Sequence, residues 1–256
     1  MELLLLSNST AYGPTYLDHA MDPISEILNG TKEVLFVPFA LADHDGYTAQ
    51  AAEALSPSGV TVTGAHVGDS IDLTREADAI FVGGGNSFRL LKELHTRGLA
   101  RIIRDRVRGG VPYIGSSAGT NMACPTLRTT NDMPIVEPPT FDALGLVPFQ
   151  MNPHYVERSP DSTHMGETRS KRLMEFLEEN DVPVVALREG TWLRQSSDRL
   201  KLDGSSAGGV LFRRGSAPEP VRRNTDLSEL LASIFRDGPS VHLAGRFGLL
   251  RMYRAG

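Results

Sequence analysis

Through the first half of the chain, short apolar runs of strand type alternate with stretches whose apolar residues recur at helical spacing. No other feature constrains the fold as strongly. Residues 3–6, 33–38, 60–63, 79–82 and 112–114 read as strands, and 16–28, 47–55 and 88–107 carry the helical pattern between them. Strand, helix and strand in this order close as right-handed crossovers, so the strands lie parallel and helices cover both faces of the sheet. Such sheets bind ligands beyond the carboxyl ends of their strands. Two of those ends stand out here: Gly83-Gly84-Gly85-Asn86 after residues 79–82, and Gly115-Ser116-Ser117 after 112–114.

The second half has a different rhythm. Residues 169–177 read as a helix and 182–187 as a buried strand. Residues 191–194 and 210–213 suggest a strand meander, with a glycine- and serine-marked turn at 204–209. Residues 226–235 read as a closing helix with Asp226 near its N-cap. With 256 residues in all and no repeat or linker, residues 1–235 are expected to form one α/β domain with a mostly parallel sheet. The remaining tail, 236–256, is weakly patterned and suggests no role.

The segment Val111-Pro112-Tyr113-Ile114-Gly115-Ser116-Ser117-Ala118-Gly119 carries the chemistry. It sets Ser117 in a Gly-x-Ser-x-Gly pattern between an apolar strand and a plausible helix, the layout of a nucleophile elbow. The glycines suit a turn in which backbone approaches backbone and leaves no room for Cβ atoms. The helix start adds free N–H groups and a partial positive charge, which favour an anionic intermediate.

A serine hydroxyl needs a base within hydrogen-bond reach and a third group to orient that base. Of seven histidines, His19 and His95 fall in helical patterns, His44 and His66 in loops or strand ends, and His242 in the tail. His164 precedes a helix start, where it is expected to cap or face solvent. His154 differs: it sits in Met151-Asn152-Pro153-His154-Tyr155, stiffened by proline and preceded by the apolar run 144–149. Two acids compete for the third position. Asp132 lies in the turn-like Thr130-Asn131-Asp132-Met133-Pro134 and would give the chain order of the α/β-hydrolases. Glu189 follows the strand at 182–187 and precedes Gly190, so it should stand at a strand's carboxyl end. Spacing leaves both open.

An oxyanion hole needs two N–H groups near the nucleophile. Ala118, after the elbow serine, supplies one by geometry, and the 83–85 glycine loop is the natural source of the second. That loop lacks the Lys-Ser/Thr partner and the complete glycine spacing of a phosphate-binding loop. No His-Glu-x-x-His, paired-cysteine or acidic cluster suggests a metal, and no cofactor motif is present. Cys124 reads as a buried residue of the helix after Ser117. As the one cysteine it excludes a disulfide framework and fits a reducing, cytoplasmic setting. The net charge of −5 gives no reason to expect nucleic acid or an acidic membrane as partner. The opening Met-Glu-Leu-Leu-Leu-Leu-Ser is too short an apolar run for a signal or a span.

Taken together, Gly83–Phe88, Tyr113–Asn121, Arg128–Pro134 and Asn152–Tyr155, extended by Gly166–Arg169 and Glu189–Trp192, resemble the peptidase E, or α-aspartyl dipeptidase, family of serine peptidases. The resemblance spans about residues 1–235 and implies a three-layer flavodoxin-like sheet related to class I glutamine amidotransferases, which carry cysteine where this chain has Ser117. It implies hydrolysis of dipeptides with an N-terminal aspartate. Ser117 would be nucleophile, His154 general base, Gly85 and Ala118 the oxyanion donors, and Asn86 and Arg169 the partners of the aspartyl carboxylate. Family assignments of the acid match both Glu189 and Asp132; strand-end placement favours Glu189. Ser116 stands where a bulky aromatic is common in the family and is expected to alter a pocket wall. A cyanophycinase-like β-aspartyl peptidase and a non-catalytic amino-acid-binding domain are the alternatives. The expected partner is a small peptide, and the chain is expected to be a monomer or homodimer.

Overall fold

The structure, a computed structural model, describes residues 1–10, 15–158 and 166–235, with 233–235 as backbone only. The first half runs β1 (Glu2–Leu6), α1 (Met21–Ile27), β2 (Glu33–Val37), α2 (His44–Leu55), β3 (Thr61–Gly64), α3 (Ser70–Glu76), β4 (Ala79–Val82), α4 (Ser87–Thr96), α5 (Leu99–Arg108), β5 (Tyr113–Ser116) and α6 (Ala118–Ala123). The second runs β6 (Gln150–Asn152), α7 (Arg169–Glu179), β7 (Val184–Leu187), β8 (Thr191–Ser196), β9 (Arg199–Gly204), β10 (Gly209–Phe212) and β11 (Glu219–Val221).

Two sheets result. The larger has seven strands in the order β3-β2-β4-β5-β1-β8-β9; its first five are parallel, and β8 and β9 add on antiparallel. The smaller has the order β11-β10-β7-β6, with β6 and β7 parallel. This is the α/β, mostly parallel, flavodoxin-like architecture expected from the alternation of elements.

The leucines of β1 show why its run is apolar without a break. All four are wholly buried, and successive side chains point to opposite faces. Leu3 and Leu5 join Leu35, Val37, Ile80 and Val82 under α4, α5 and α6. Leu4 and Leu6 join Val34, Phe36, Phe81 and Ile114 under α1 and α2. A strand covered on both faces leaves no polar side. The smaller sheet divides likewise. Met151, Val185, Leu187 and Leu211 face the first cluster, while Val184, Ala186, Val210 and Phe212 pack with Leu173 and Leu177 of α7.

Several expectations need correction. The helix expected over 88–107 is two, broken where Gly98 adopts φ +71°, a left-handed turn that stops a helix. Helix α3 was not anticipated; Asp69 starts it by accepting the Ile71 and Asp72 N–H groups. The meander is four strands shared between two sheets. The closing segment is 3₁₀ over Ser228–Phe235, and Asp226 accepts the Ser228 N–H. The tail 236–256 with His242, and His164, lie outside the described residues.

Candidate active site

Ser117 occupies the turn between β5 and α6 with φ 51° and ψ −105°, a backbone state that costs on the order of 1–3 kcal/mol for a residue with a side chain. Its surroundings hold it there. The Ser117 N–H donates to the Leu6 carbonyl at 3.1 Å, and the Tyr113 hydroxyl donates to the Gly119 carbonyl at 2.6 Å. A Cβ on Gly119 would lie 2.1 Å from the Val82 carbonyl oxygen, and one on Gly115 would lie 2.6 Å from that of Gly119. The two glycines of the pattern are therefore required by contact.

His154 follows β6 and also has positive φ, 54°. Its Nε2 lies 3.0 Å from Ser117 Oγ and its Nδ1 lies 2.8 Å from Glu189 Oε1. Glu189 stands just past β7, so hydroxyl, imidazole and carboxylate form one hydrogen-bonded line. Asp132 holds a different group: its Oδ2 accepts the Ser87 N–H at 2.7 Å, at the start of α4. The run around it fastens the histidine segment instead. Thr129 Oγ1 donates to the Met151 carbonyl, Asn131 Nδ2 to that of Pro153, and Asn152 Nδ2 to Asn131 Oδ1.

A cavity of about 470 Å³ opens over Ser117, lined also by Ser9, Tyr16, Tyr47, Gly85, Asp132 and His154. The glycine loop lies against the serine, since a Cβ on Gly84 would come within 3.2 Å of Ser117 Cβ. The Gly84 N–H donates to Tyr47 Oη at 2.7 Å. The Gly85 N–H has no hydrogen-bond partner among the described residues. Ala118 opens α6, so its N–H lies outside the helical ladder. Among the described residues, the N–H groups of Gly85 and Ala118 are thereby left without an acceptor. Burial pushes the Tyr16 hydroxyl well above its ordinary range, reinforced by Tyr47. Tyr47 is raised by burial too, and the Tyr16 and Gly84 hydrogen bonds oppose that rise.

Asn86 and Arg169 are not among the residues that line this cavity. Asn86 caps α4, its Oδ1 accepting the Arg89 N–H and its Nδ2 donating to the Met133 carbonyl. Arg169 opens α7; burial lowers its pKa, and Glu189 acts in the opposite sense. Its Nη1 is buried without a hydrogen-bond partner among the described residues. Ser116, expected at a pocket wall, is wholly buried, its hydroxyl without a partner among the described residues. Cys124 is buried at the end of α6, and burial pushes its thiol up to about 12. No group of metal-binding side chains occurs among the described residues, nor any helix long and apolar enough to cross a membrane. Sequence reasoning missed Tyr47, whose only signal was its helical spacing, and the Ser7-Asn8 pair after β1.

A serine on a strained strand–helix turn, in line with imidazole and carboxylate, is the arrangement of a serine hydrolase. The family model for Peptidase family S51 matches residues 3–203. The chain is 60% identical over 232 residues to "Peptidase E" of Streptomyces coelicolor, covering 90% of this chain and 95% of that protein. It is 47% identical over 233 residues to "Probable alpha-aspartyl dipeptidase" of Drosophila melanogaster, covering 90% and 97%. A solved structure of a putative peptidase E protein from Listeria monocytogenes superposes with a TM-score of 0.61 at 25% identity, over 80% of this chain and 98% of that one. The chain belongs to peptidase family S51.

Proposed function

We propose that the protein is a serine exopeptidase that cleaves dipeptides with an N-terminal aspartate through an ester on Ser117. The observation that carries this reading is the hydrogen-bonded line from Ser117 through His154 to Glu189. Ser117 Oγ attacks the peptide carbonyl while His154 Nε2 takes its proton, then returns it to the leaving amine. Water, deprotonated by the same nitrogen, cleaves the aspartyl ester and restores the serine. Glu189 holds the ring through Nδ1, and the Gly85 and Ala118 N–H groups stabilise the oxyanion.

The names of the relatives support aspartate at the first position over the cyanophycinase-like and non-catalytic readings. Arg169 suits the aspartyl carboxylate because its guanidinium stays charged at working pH and binds carboxylates bidentately; its Nη1, buried and without a hydrogen-bond partner among the described residues, would have to turn into the cavity to do so. Asn86 would have to release the Met133 carbonyl to assist. Asp132 remains the second candidate acid, as it lines the cavity. A cavity of about 470 Å³ is in keeping with a small peptide. One domain over residues 1–235, a cytoplasmic setting and a monomeric or homodimeric state complete the reading, the setting supported by the single buried Cys124.

Assay of Asp-Leu and Leu-Asp with the wild type and Ser117→Ala tests it. Cleavage of Asp-Leu alone, lost by at least about 10²-fold in the variant, is expected. Equal cleavage of both peptides, or an active alanine variant, would overturn the reading.

A further inference from the structure

The three groups of the proposed site belong to two sheets. Ser117 follows β5 of the seven-stranded sheet, whereas His154 and Glu189 follow β6 and β7 of the four-stranded one. Among the described residues, no strand ladder joins β5 to β6 or β7. Something else must register the histidine and carboxylate against the serine.

The end of β1 makes the required contacts. β1 pairs with β5, with Leu6 opposite Ser116. The Leu6 carbonyl accepts the Ser117 N–H at 3.1 Å and the Thr120 hydroxyl at 2.7 Å. Ser7 Oγ accepts the His154 N–H at 2.9 Å and donates to the Leu187 carbonyl, also at 2.9 Å. Asn8 Oδ1 accepts the Gly190 N–H at 2.7 Å, and its Nδ2 donates to the Thr10 carbonyl at 2.9 Å. Three consecutive residues thus reach the nucleophile, the base and the two neighbours that flank the acid's segment.

We infer that Ser7 and Asn8 are positioning residues that align His154 and Glu189 with Ser117, an inference that rests on the catalytic reading above. Ser7 is wholly buried and Asn8 is 1% exposed, so neither presents a group to substrate. An apolar replacement would leave the N–H groups of His154 and Gly190 without these acceptors. The His154 contact also supports a backbone at φ 54°, a region that residues other than glycine seldom occupy. A shift of about 1 Å between base and nucleophile is enough to cost on the order of 10²-fold in rate.

Steady-state kinetics on Asp-Leu with Ser7→Ala, Ser7→Thr, Asn8→Ala and Asn8→Asp test the inference. The alanine variants are expected to lose about 10- to 100-fold in kcat with KM close to wild type, while the N–H groups left without acceptors lower the melting temperature. The variants that keep the oxygen should recover most of kcat, and labelling of Ser117 by a serine-directed phosphonate should slow and recover in parallel. If Ser7→Ala does not fold, the Asn8 pair decides by the same criteria. Wild-type kcat in both alanine variants, or equal loss in the alanine and oxygen-keeping variants, overturns the inference while Ser117→Ala stays inactive. An active Ser117→Ala would instead overturn the catalytic reading.

Discussion

At the scale of single residues, the two carboxylates divide by what they already hold. Glu189 meets His154 Nδ1 at 2.8 Å, while Asp132 spends Oδ2 on the Ser87 N–H. An amide at 189 would leave the imidazole without a charged partner and favour the wrong tautomer. An amide at 132 still offers an oxygen to Ser87. Glu189→Gln is therefore expected to lower kcat by on the order of 10²- to 10⁴-fold, and Asp132→Asn by less than about tenfold. Parallel kcat measurements on Asp-Leu check this, and a reversed order would move the orienting role to Asp132.

At the scale of elements, the elbow is a contact between β4, β5 and α6 as much as a turn. Gly119 lets α6 sit against the Val82 carbonyl, with 2.1 Å to a Cβ built there. Backbone cannot yield to that overlap, so Gly119→Ala is expected to abolish folding or activity. Gly98 makes a contrast. It too has a special role, φ +71° between α4 and α5, but nothing lies within 4 Å of a Cβ there. Gly98→Ala should cost about 1–2 kcal/mol and leave kcat unchanged. Chemical denaturation and Asp-Leu kinetics on the two variants read the difference. The long connection from α6 to β6 is also pinned by elements. Arg104 donates to the carbonyls of Leu144 and Ala143, and His95 pairs with that of Asp142.

At the scale of the whole molecule, acid should loosen the join between the segments that carry His154 and Glu189. Glu157, three residues past the histidine, is held below its ordinary 4.5 chiefly by its hydrogen bond from Arg188, beside Glu189. A carboxyl whose pKa is depressed on folding contributes stability above its unfolded pKa, and that contribution is lost as pH falls through the folded value. Melting temperature is expected to drop as pH is lowered below 4.5, and less steeply in Glu157→Gln. Equal pH dependence in the two proteins would show that this pair contributes nothing, as many exposed ion pairs do.

The sequence alone determined the features that depend on neighbours along the chain. Apolar runs of four or five residues between helical patterns specify buried parallel strands, and Gly115-x-Ser117-x-Gly119 specifies a tight turn that presents a hydroxyl. His154 and Glu189 were both visible as candidates because each follows an apolar run. What the tertiary structure decided is which carboxylate stands against the imidazole, and where Asn86 spends its side chain. Asp132 is closer to His154 in sequence, but the pairing of β6 with β7 carries Glu189 to the ring instead. Ser7 and Asn8 were illegible for the same reason. Their partners are 147 and 182 residues away, and no local pattern marks a serine or asparagine whose hydrogen bonds reach so distant a segment.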